Sequence, residues 1–419
     1  MSRRIYLDHA ATTPLDPRVE EAMRPFWSDT FGNPGGLYDE GRRAKKALDE
    51  ARASIARILG ARPEEIIFTS GGTESDNLAL FGVARQMGHG HIITTSFEHH
   101  AVLESIRQLA KEGFEVTYIN VGVDGVVNPE DVKGSLRADT ILVSIMYANN
   151  EIGTTQPIAE IAKIIKNYKL QTKNNKLFFH TDACQAAEYL DLDVQRLGVD
   201  MMTINASKMY GPKGIGLLYR KMGITLKPVM YGGGQESRLR SGTENIPLIV
   251  GFAKALEIAE SIKATEVGRL IQLRDYTIAE LQRVIPKVIL NGHPVQRLPN
   301  NINVSILDIE GEALVLYMDA HGISFSTGSA CTSESLEPSH VILALGKPYE
   351  FAHSSMRFTL GRSTTKDDID YLVRVLEKMV EKLRAISPIV VDPNATTMGH
   401  PEAFAGQGFT KKATDKTYK

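Results

Sequence analysis

The sequence predicts an α/β protein: a mainly parallel sheet with helices on both faces, plus a smaller α+β domain. Two patterns carry this expectation. Short β-prone runs alternate with helical stretches between residues 65 and 219, as strands joined by crossover helices do. The residues with chemistry to offer fall where those runs end, and ligands of such sheets bind at the carboxyl ends of the strands. Length agrees, since 419 residues suffice for two domains.

In chain order, Ile5-Tyr6-Leu7-Asp8 is a short apolar run before the turn Ala11-Thr12-Thr13-Pro14. Asp16-Pro17 opens a helix expected to reach about residue 26, with Pro at its first position. Phe31-Gly32-Asn33-Pro34-Gly35-Gly36 is a breaker cluster, followed by a polar amphipathic helix over 38–59. Strands are expected at 65–69, 91–95, 114–120, 140–146, 177–181, 201–205 and 215–219, with helices at 74–87, 99–111 and 157–167. Residues 246–261 and 265–284 read as two long helices, the second leading out of the first domain. Strands at 301–307 and 355–360 and helices at 311–319 and 366–385 complete a smaller domain. The expected division is a large domain over 15–260 and a small one from 1–14 and 261–390. Residues 391–419, poor in large apolar residues, read as a flexible tail.

Composition excludes several classes. Hydrophobic content of 42% and charged content of 23% are those of an ordinary globular protein. A net charge of −2 offers no broad basic surface for nucleic acid. Met1-Ser2-Arg3-Arg4-Ile5 lacks the apolar core of a signal peptide, and no apolar run has the length of a membrane helix. The expectation is a cytoplasmic enzyme without a membrane partner. Its two cysteines, Cys184 and Cys331, do not make a disulfide framework and read as free thiols.

Six constellations carry candidate chemistry. Asn205-Ala206-Ser207-Lys208 ends a strand run and enters the turn Gly211-Pro212-Lys213-Gly214. Lys208 is either a solvated loop lysine or an amine able to form a Schiff base with a carbonyl cofactor. Asn205 and Ser207 beside it suit a phosphate. Ser70-Gly71-Gly72-Thr73-Glu74 joins a strand to a helix, either a plain capped turn or an anion site built from open amides. His99, in Glu98-His99-His100, is a helix cap, or a ring that stacks and moves a proton. Asn150, Asp182 and Gln185 follow two other strands; Asp182 could pair with a pyridinium nitrogen, and the two amides could bond a ring oxygen. Each could also be a turn residue. Cys184, among Ala183, Ala186 and Ala187, reads as a small buried residue. Cys331, among Gly328, Ser329, Ala330, Thr332 and Ser333, is an accessible thiol or a chance loop cysteine. Arg357, in a partly apolar strand, needs a partner: a substrate carboxylate or an internal acid.

Taken together, Tyr6–Pro14, Gly32-Asn33-Pro34, Thr69–Asn77, Glu98-His99, Asn149–Gly153, Asp182 with Gln185, Lys208–Gly216, Arg240-Ser241-Gly242-Thr243 and Gly328–Pro338 resemble the cysteine desulfurases. These are pyridoxal 5'-phosphate enzymes of the aminotransferase class V group with aspartate-aminotransferase-like (fold type I) architecture. The Ser-Ala-Cys-Thr-Ser segment resembles the branch serving iron–sulfur assembly and tRNA thiolation. The resemblance implies roles. Lys208 is the Schiff-base lysine. His99 stacks on the ring, and Asp182 pairs with its nitrogen. Asn150 and Gln185 contact cofactor oxygens, and Gly72, Thr73, Asn205 and Ser207 surround the phosphate. Thr243 reaches the phosphate of the other subunit of a homodimer. Arg357 clamps the L-cysteine carboxylate with Asn33 nearby. Cys331 takes the sulfur and hands it to an iron–sulfur scaffold protein or another acceptor. No intrinsic metal site is expected, although Cys331 could ligate an iron–sulfur cluster in passing. The family usually has Ser-x-His before the lysine; this chain has Asn205-Ala206-Ser207. The alternatives are a selenocysteine lyase and a catalytically weak scaffold that binds partners.

Overall fold

The computed structural model describes residues 4–327, 338–388 and 390–394. The short strand β1 (Ile5–Tyr6) stands apart from the main sheet. That sheet has seven strands: β2 (Ile66–Thr69), β3 (His91–Thr95), β4 (Glu115–Ile119), β5 (Thr140–Ser144), β6 (Phe178–Asp182), β7 (Met201–Asn205) and β8 (Gly216–Arg220). Their order is β2-β8-β7-β6-β5-β3-β4. β8 runs against both neighbours and every other pairing is parallel. His-Ile-Ile-Thr-Thr in β3 and Thr-Ile-Leu-Val-Ser in β5 are buried along their whole length, because helices cover both faces of the sheet. Helix His100–Lys111 shows how: Val102, Leu103, Ile106 and Leu109 recur at helical spacing and turn inward.

A second sheet has the order β12-β13-β10-β9, with β9 (Val288–Leu290), β10 (Asn301–Ile306), β12 (Ser326–Thr327) and β13 (Ser355–Thr359). Beside it β11 (Ile323–Ser324) pairs in parallel with β1, Ile5 opposite Ile323. Ile5 and Leu7 therefore join the core of this sheet, with Ile302, Val304, Met356 and Phe358. The large sheet has its own core, including Phe68, Val143, Phe179, Ile204 and Leu217.

Three expectations need correction. The two helices expected over 246–284 are one helix of 39 residues, Ile246–Val284. Residues 262–264, Ile-Lys-Ala, include neither Gly nor Pro, so nothing interrupts the ladder. Its first half packs Ile249, Phe252 and Leu256 into the large core, and its second half packs Leu270, Leu273 and Leu281 into the small one. The helix expected from Pro17 to about residue 26 ends at Met23, and a separate turn, Pro25–Ser28, follows. Pro25 has no N–H to continue the first ladder. Lastly, the tail expected from residue 391 does not include Val391, which is 8% exposed, donates its N–H to Asp308 at 2.7 Å and accepts from Lys287 Nζ at 3.0 Å.

Candidate active site

β7 ends at Asn205, and a tight turn, Ala206–Lys208, follows. Asn205 caps that turn: its Oδ1 accepts from Ser207 N and from the Ser207 hydroxyl, both at 3.1 Å. The N-terminal segment braces it. Thr13 donates its N–H and its hydroxyl to Ser207 O, each at 3.0 Å, and its hydroxyl accepts from Tyr210 N at 2.7 Å. Tyr210 has φ +61°, a left-handed conformation that a bulky residue rarely adopts, and the Thr13 bonds help to hold it there. Lys208 Nζ donates to Ala11 O at 2.6 Å, and Gln185 Nε2 donates to Ala10 O at 2.9 Å. Lysine and glutamine, distant in sequence, meet on one short N-terminal segment.

Asp182 is the last residue of β6 and 7% exposed; its Oδ1 accepts from Cys184 N at 2.9 Å. His99 caps helix His100–Lys111, its Nδ1 accepting from Ala101 N at 3.1 Å. Burial holds the His99 pKa below its ordinary value; the Asp182 charge opposes this, and the Lys208 and Arg357 cations reinforce it. His99 is therefore neutral, and because Nδ1 accepts, its proton sits on Nε2. That these charges reach one imidazole is itself geometric: Lys208, Asp182, Arg357 and His99 come from four elements and share one site.

The expected phosphate turn lies beside them. Helix Gly72–Met87 begins directly after Gly71, so the amides of its first turn have no acceptor within the helix. Just before the helix, Ser70 N donates to Glu74 Oε2 at 2.7 Å, and Glu74 pairs with Arg240 at 3.0 Å. A Cβ on Gly72 would stand 2.7 Å from Cys184 Sγ and 3.7 Å from Asn205 Nδ2. Only glycine fits beside Cys184, and the helix start lies close to the Asn205 amide, which Ser207 in turn holds through its N–H and hydroxyl. Open amides with a neutral donor at a helix N-terminus are chemistry that can hold a phosphate. Ser207 differs in one detail from its expected part: its hydroxyl proton is given to Asn205.

Arg357 is 3% exposed and lies on β13. It pairs with Asp8 at 2.8 Å, donates to Asn150 O at 3.0 Å, and leaves its Nε without a partner. The internal-acid reading and the carboxylate reading are therefore compatible, with the unpartnered Nε on the same guanidinium. Asn33 is exposed, its Oδ1 accepting from Gly35 N at 2.9 Å; none of its described contacts joins it to Arg357. Thr73 is exposed at the helix start, and Thr243 is exposed on a cavity of about 210 Å³ that it shares with Thr69, Ser70 and Arg240. Cys184 is half-buried, not fully buried as expected, and the burial of its thiol and the neighbouring carboxylates push its pKa well above the ordinary value. Cys331 lies outside the described residues. Chain connectivity keeps it four residues from Thr327, which pairs with Met356 beside Arg357.

Sequence reasoning missed several participants. Asp8 holds Arg357, and Asp76 and His180 lie buried near Asp182. Glu98 accepts from Thr95 Oγ1 at 2.7 Å and Met146 N at 2.9 Å, and burial raises its pKa to about 8. Glu151 accepts from the Ser339 hydroxyl, and burial raises its pKa to about 7. The available signal was position: Asp8, Asp76, Glu98 and Glu151 all lie inside motifs already singled out, and His180 is two residues from Asp182. Among the described residues no cluster of metal-ligating side chains forms.

An α/β sheet of this order, with a lysine, an imidazole and an acid near its strand ends, is that of a fold type I pyridoxal-phosphate enzyme. The chain belongs to the Aminotransferase class-V family, which residues 5–372 match. Within it, the chain is 52% identical to a cysteine desulfurase IscS of Dictyoglomus turgidum, over 93% of this chain and 97% of that protein. It is 48% identical to a cysteine desulfurase IscS of Methanosarcina thermophila, over 93% and 95%. Among solved structures, a NifS-like protein superposes with a TM-score of 0.84 at 36% identity, covering 91% of this chain and all of that one. A structure described as SspA in complex with cysteine superposes with a TM-score of 0.73 at 35% identity, covering 85% and 98%.

Proposed function

We infer that this protein is a pyridoxal-phosphate-dependent cysteine desulfurase, which converts L-cysteine to L-alanine and passes the sulfur on. The observation that carries the reading is the convergence of Lys208, His99, Asp182 and Arg357 on one site. The cofactor, when bound, supplies an electron sink that labilises bonds at the substrate's α-carbon. This chain's residues do the rest. Gly72, Thr73, Asn205 and Ser207 would receive the phosphate at the helix start, and Asp182 would pair with the ring nitrogen. Asn150 and Gln185 would serve the ring's oxygen. Lys208 Nζ, which donates to Ala11 O, would hold the cofactor and move the substrate's α-proton. His99, with its proton on Nε2, would stack on the ring. Arg357, held by Asp8 and Asn150 O, turns its remaining N–H to the substrate carboxylate, with Asn33 at the entrance.

The Cys331 thiolate attacks the substrate sulfur. An S–S bond forms and the Cβ–S bond breaks. The electron pair stays on Cβ and takes a proton, so the product is alanine and the sulfur remains as a persulfide. The chain is a homodimer in which Thr243 reaches the phosphate of the other site. The exposure of Trp27, Phe31 and Leu37, the last 92% exposed, supports an apolar contact surface. The sulfur goes to an iron–sulfur scaffold protein or another acceptor in the cytoplasm. L-Cysteine added to the purified holoenzyme should yield alanine and a persulfide on Cys331 together. Cys331→Ala should bind cofactor and L-cysteine normally yet make neither; alanine formed at the wild-type rate by that variant would overturn the assignment.

A further inference from the structure

Glu151 is a buried acid that the reaction above does not use. It follows Asn150 and is 5% exposed. Its main chain is held whatever its side chain does. Its N–H donates to Asn149 Oδ1 at 2.8 Å, and its carbonyl accepts from Asn301 Nδ2 and Asn303 Nδ2, both at 3.1 Å. Its carboxyl accepts from the hydroxyl of Ser339, 188 positions later. Ser339 is 2% exposed and caps the five-residue helix His340–Ala344, its Oγ accepting from Ile342 N at 3.2 Å. The next residue adds a second tie: His340 Nε2 donates to Glu98 O at 2.9 Å, and its ring lies 4.7 Å from that of His100.

Stability does not explain the Glu151 side chain. One bond to a hydroxyl returns less than it costs to bury a carboxyl, and an apolar side chain of similar size would avoid that cost. What the bond does is fix a place. A helix of five residues is too short to hold itself, so its position depends on what ties its first turn. Ser339 comes eight residues after Cys331, and Thr327 comes four before it. Both flanks are tied beside Arg357. Ser326 stands opposite Arg357 in the ladder of β12 and β13, and Glu151 follows Asn150, whose carbonyl accepts from the same guanidinium at 3.0 Å. Four residues of chain span at most about 14 Å and eight at most about 29 Å, so the placing of these two anchors bounds where Cys331 can stand.

We propose that Glu151 is a positioning residue for sulfur transfer: through the Ser339 hydroxyl it ties the chain that follows Cys331 to the turn that holds Arg357. This deepens the reading of Cys331 as sulfur acceptor and rests on it. Glu151 acts only through Ser339. Binding of the amino acid by Arg357 and removal of its α-proton by Lys208 should therefore not depend on it. The attack of Cys331 on the substrate sulfur should, because reacting groups displaced by ~1 Å can slow a step ~100-fold.

The test uses three holoenzyme variants. Glu151→Met removes the acceptor but keeps the size of the side chain and the Ser339 cap. Ser339→Ala removes the donor. Glu151→Gln keeps an acceptor. Two readouts separate the steps: exchange of the L-alanine α-proton in D2O needs no Cys331, whereas single-turnover persulfide on Cys331, followed by mass spectrometry, reads the transfer. Glu151→Met and Ser339→Ala should each slow persulfide formation by ~10- to 100-fold and leave α-proton exchange near the wild-type rate. Their double variant should be no slower than the slower single one, because both remove the same bond. Glu151→Gln should restore transfer. Exchange and persulfide formation that fall together would make the role merely structural and overturn the proposal. Persulfide formed at the wild-type rate by Glu151→Met would overturn it too; should that variant not fold, Ser339→Ala decides by the same two readouts. A wild type that puts no sulfur on Cys331 would overturn the reading of Cys331 and this proposal together, whereas wild-type persulfide with unslowed variants overturns this proposal alone.

Discussion

The floor of the site and its rim are built in opposite ways. The floor is Asp182, His180, Thr203, Asp76 and Glu98: all are buried, and most of their polar atoms answer one another or the backbone, whereas Asp76 Oδ1 and Glu98 Oε2 have no hydrogen-bond partner. The rim, on the proposed reading, is Asn33, Leu37, Tyr38 and Thr243, which are exposed and lie outside helices and strands. Cofactor chemistry needs fixed charges in a low dielectric, which only packed strand ends provide. Admission of substrate and contact with a partner need accessible surface. Changes to the floor should therefore alter chemistry or stability steeply, and changes above it should alter binding by smaller amounts.

The largest effect belongs to Lys208. Lys208→Ala should lower turnover by at least the ~10²–10⁴-fold of a lost proton-transfer group. Lys213 cannot replace it, being engaged with Thr13 O at 2.9 Å. Alanine production near the wild-type rate would refute the assignment. Next comes the fold's response to acid. Burial holds His91, His180 and His340 near about 4. Each stays neutral in the fold while the unfolded chain takes up protons below about 6.5. Their contribution is intact above that value and is lost as pH falls from there toward about 4, at about 1.4 kcal/mol per unit for each group. A Tm that is flat across that window would contradict this, and His180→Gln should reduce the slope.

Ser207 lies between floor and rim. Its hydroxyl already donates to Asn205, so Ser207→Ala should cost ~0.5–1.5 kcal/mol of cofactor affinity, the worth of a neutral bond. Equilibrium dialysis of the cofactor reads this; a loss of ~1.5–3 kcal/mol would mean that the hydroxyl turns to the phosphate. The smallest effect is that of Cys184→Ala. It removes one buried sulfur beside Gly72 at about 1 kcal/mol of stability. Persulfide on Cys331 should form as before, as mass spectrometry after L-cysteine would show.

The same contrast governs what the sequence made legible. Strand runs such as Met201–Asn205 and the helix after Gly71 announce themselves by periodicity and turn residues, and the first coincides with β7 to the residue. Lys208, His99 and Asp182 could be singled out because each ends or follows a strand run, where such sheets place their ligands. Short elements such as β9 and Tyr349–His353 are below the length at which periodicity speaks. Asp76 and His180 were not singled out because a lone acid on a helix and a lone histidine in a strand look like solvated or structural residues. Only tertiary packing sets them 3.6 Å apart. The Asp8–Arg357 pair is hidden for a simpler reason: its members stand at opposite ends of the chain.

That last separation has a consequence for biosynthesis. The large sheet, from Ile66 to Arg220, is complete within one contiguous stretch, so on a ribosome it can close as soon as that stretch has emerged. β1 and Asp8, although made first, have no partners until Ile323 and Arg357 follow. A nascent chain released before Arg357 would hold the floor without the clamp. On the proposed role of Arg357, the order of synthesis would delay substrate binding until nearly all of the chain exists.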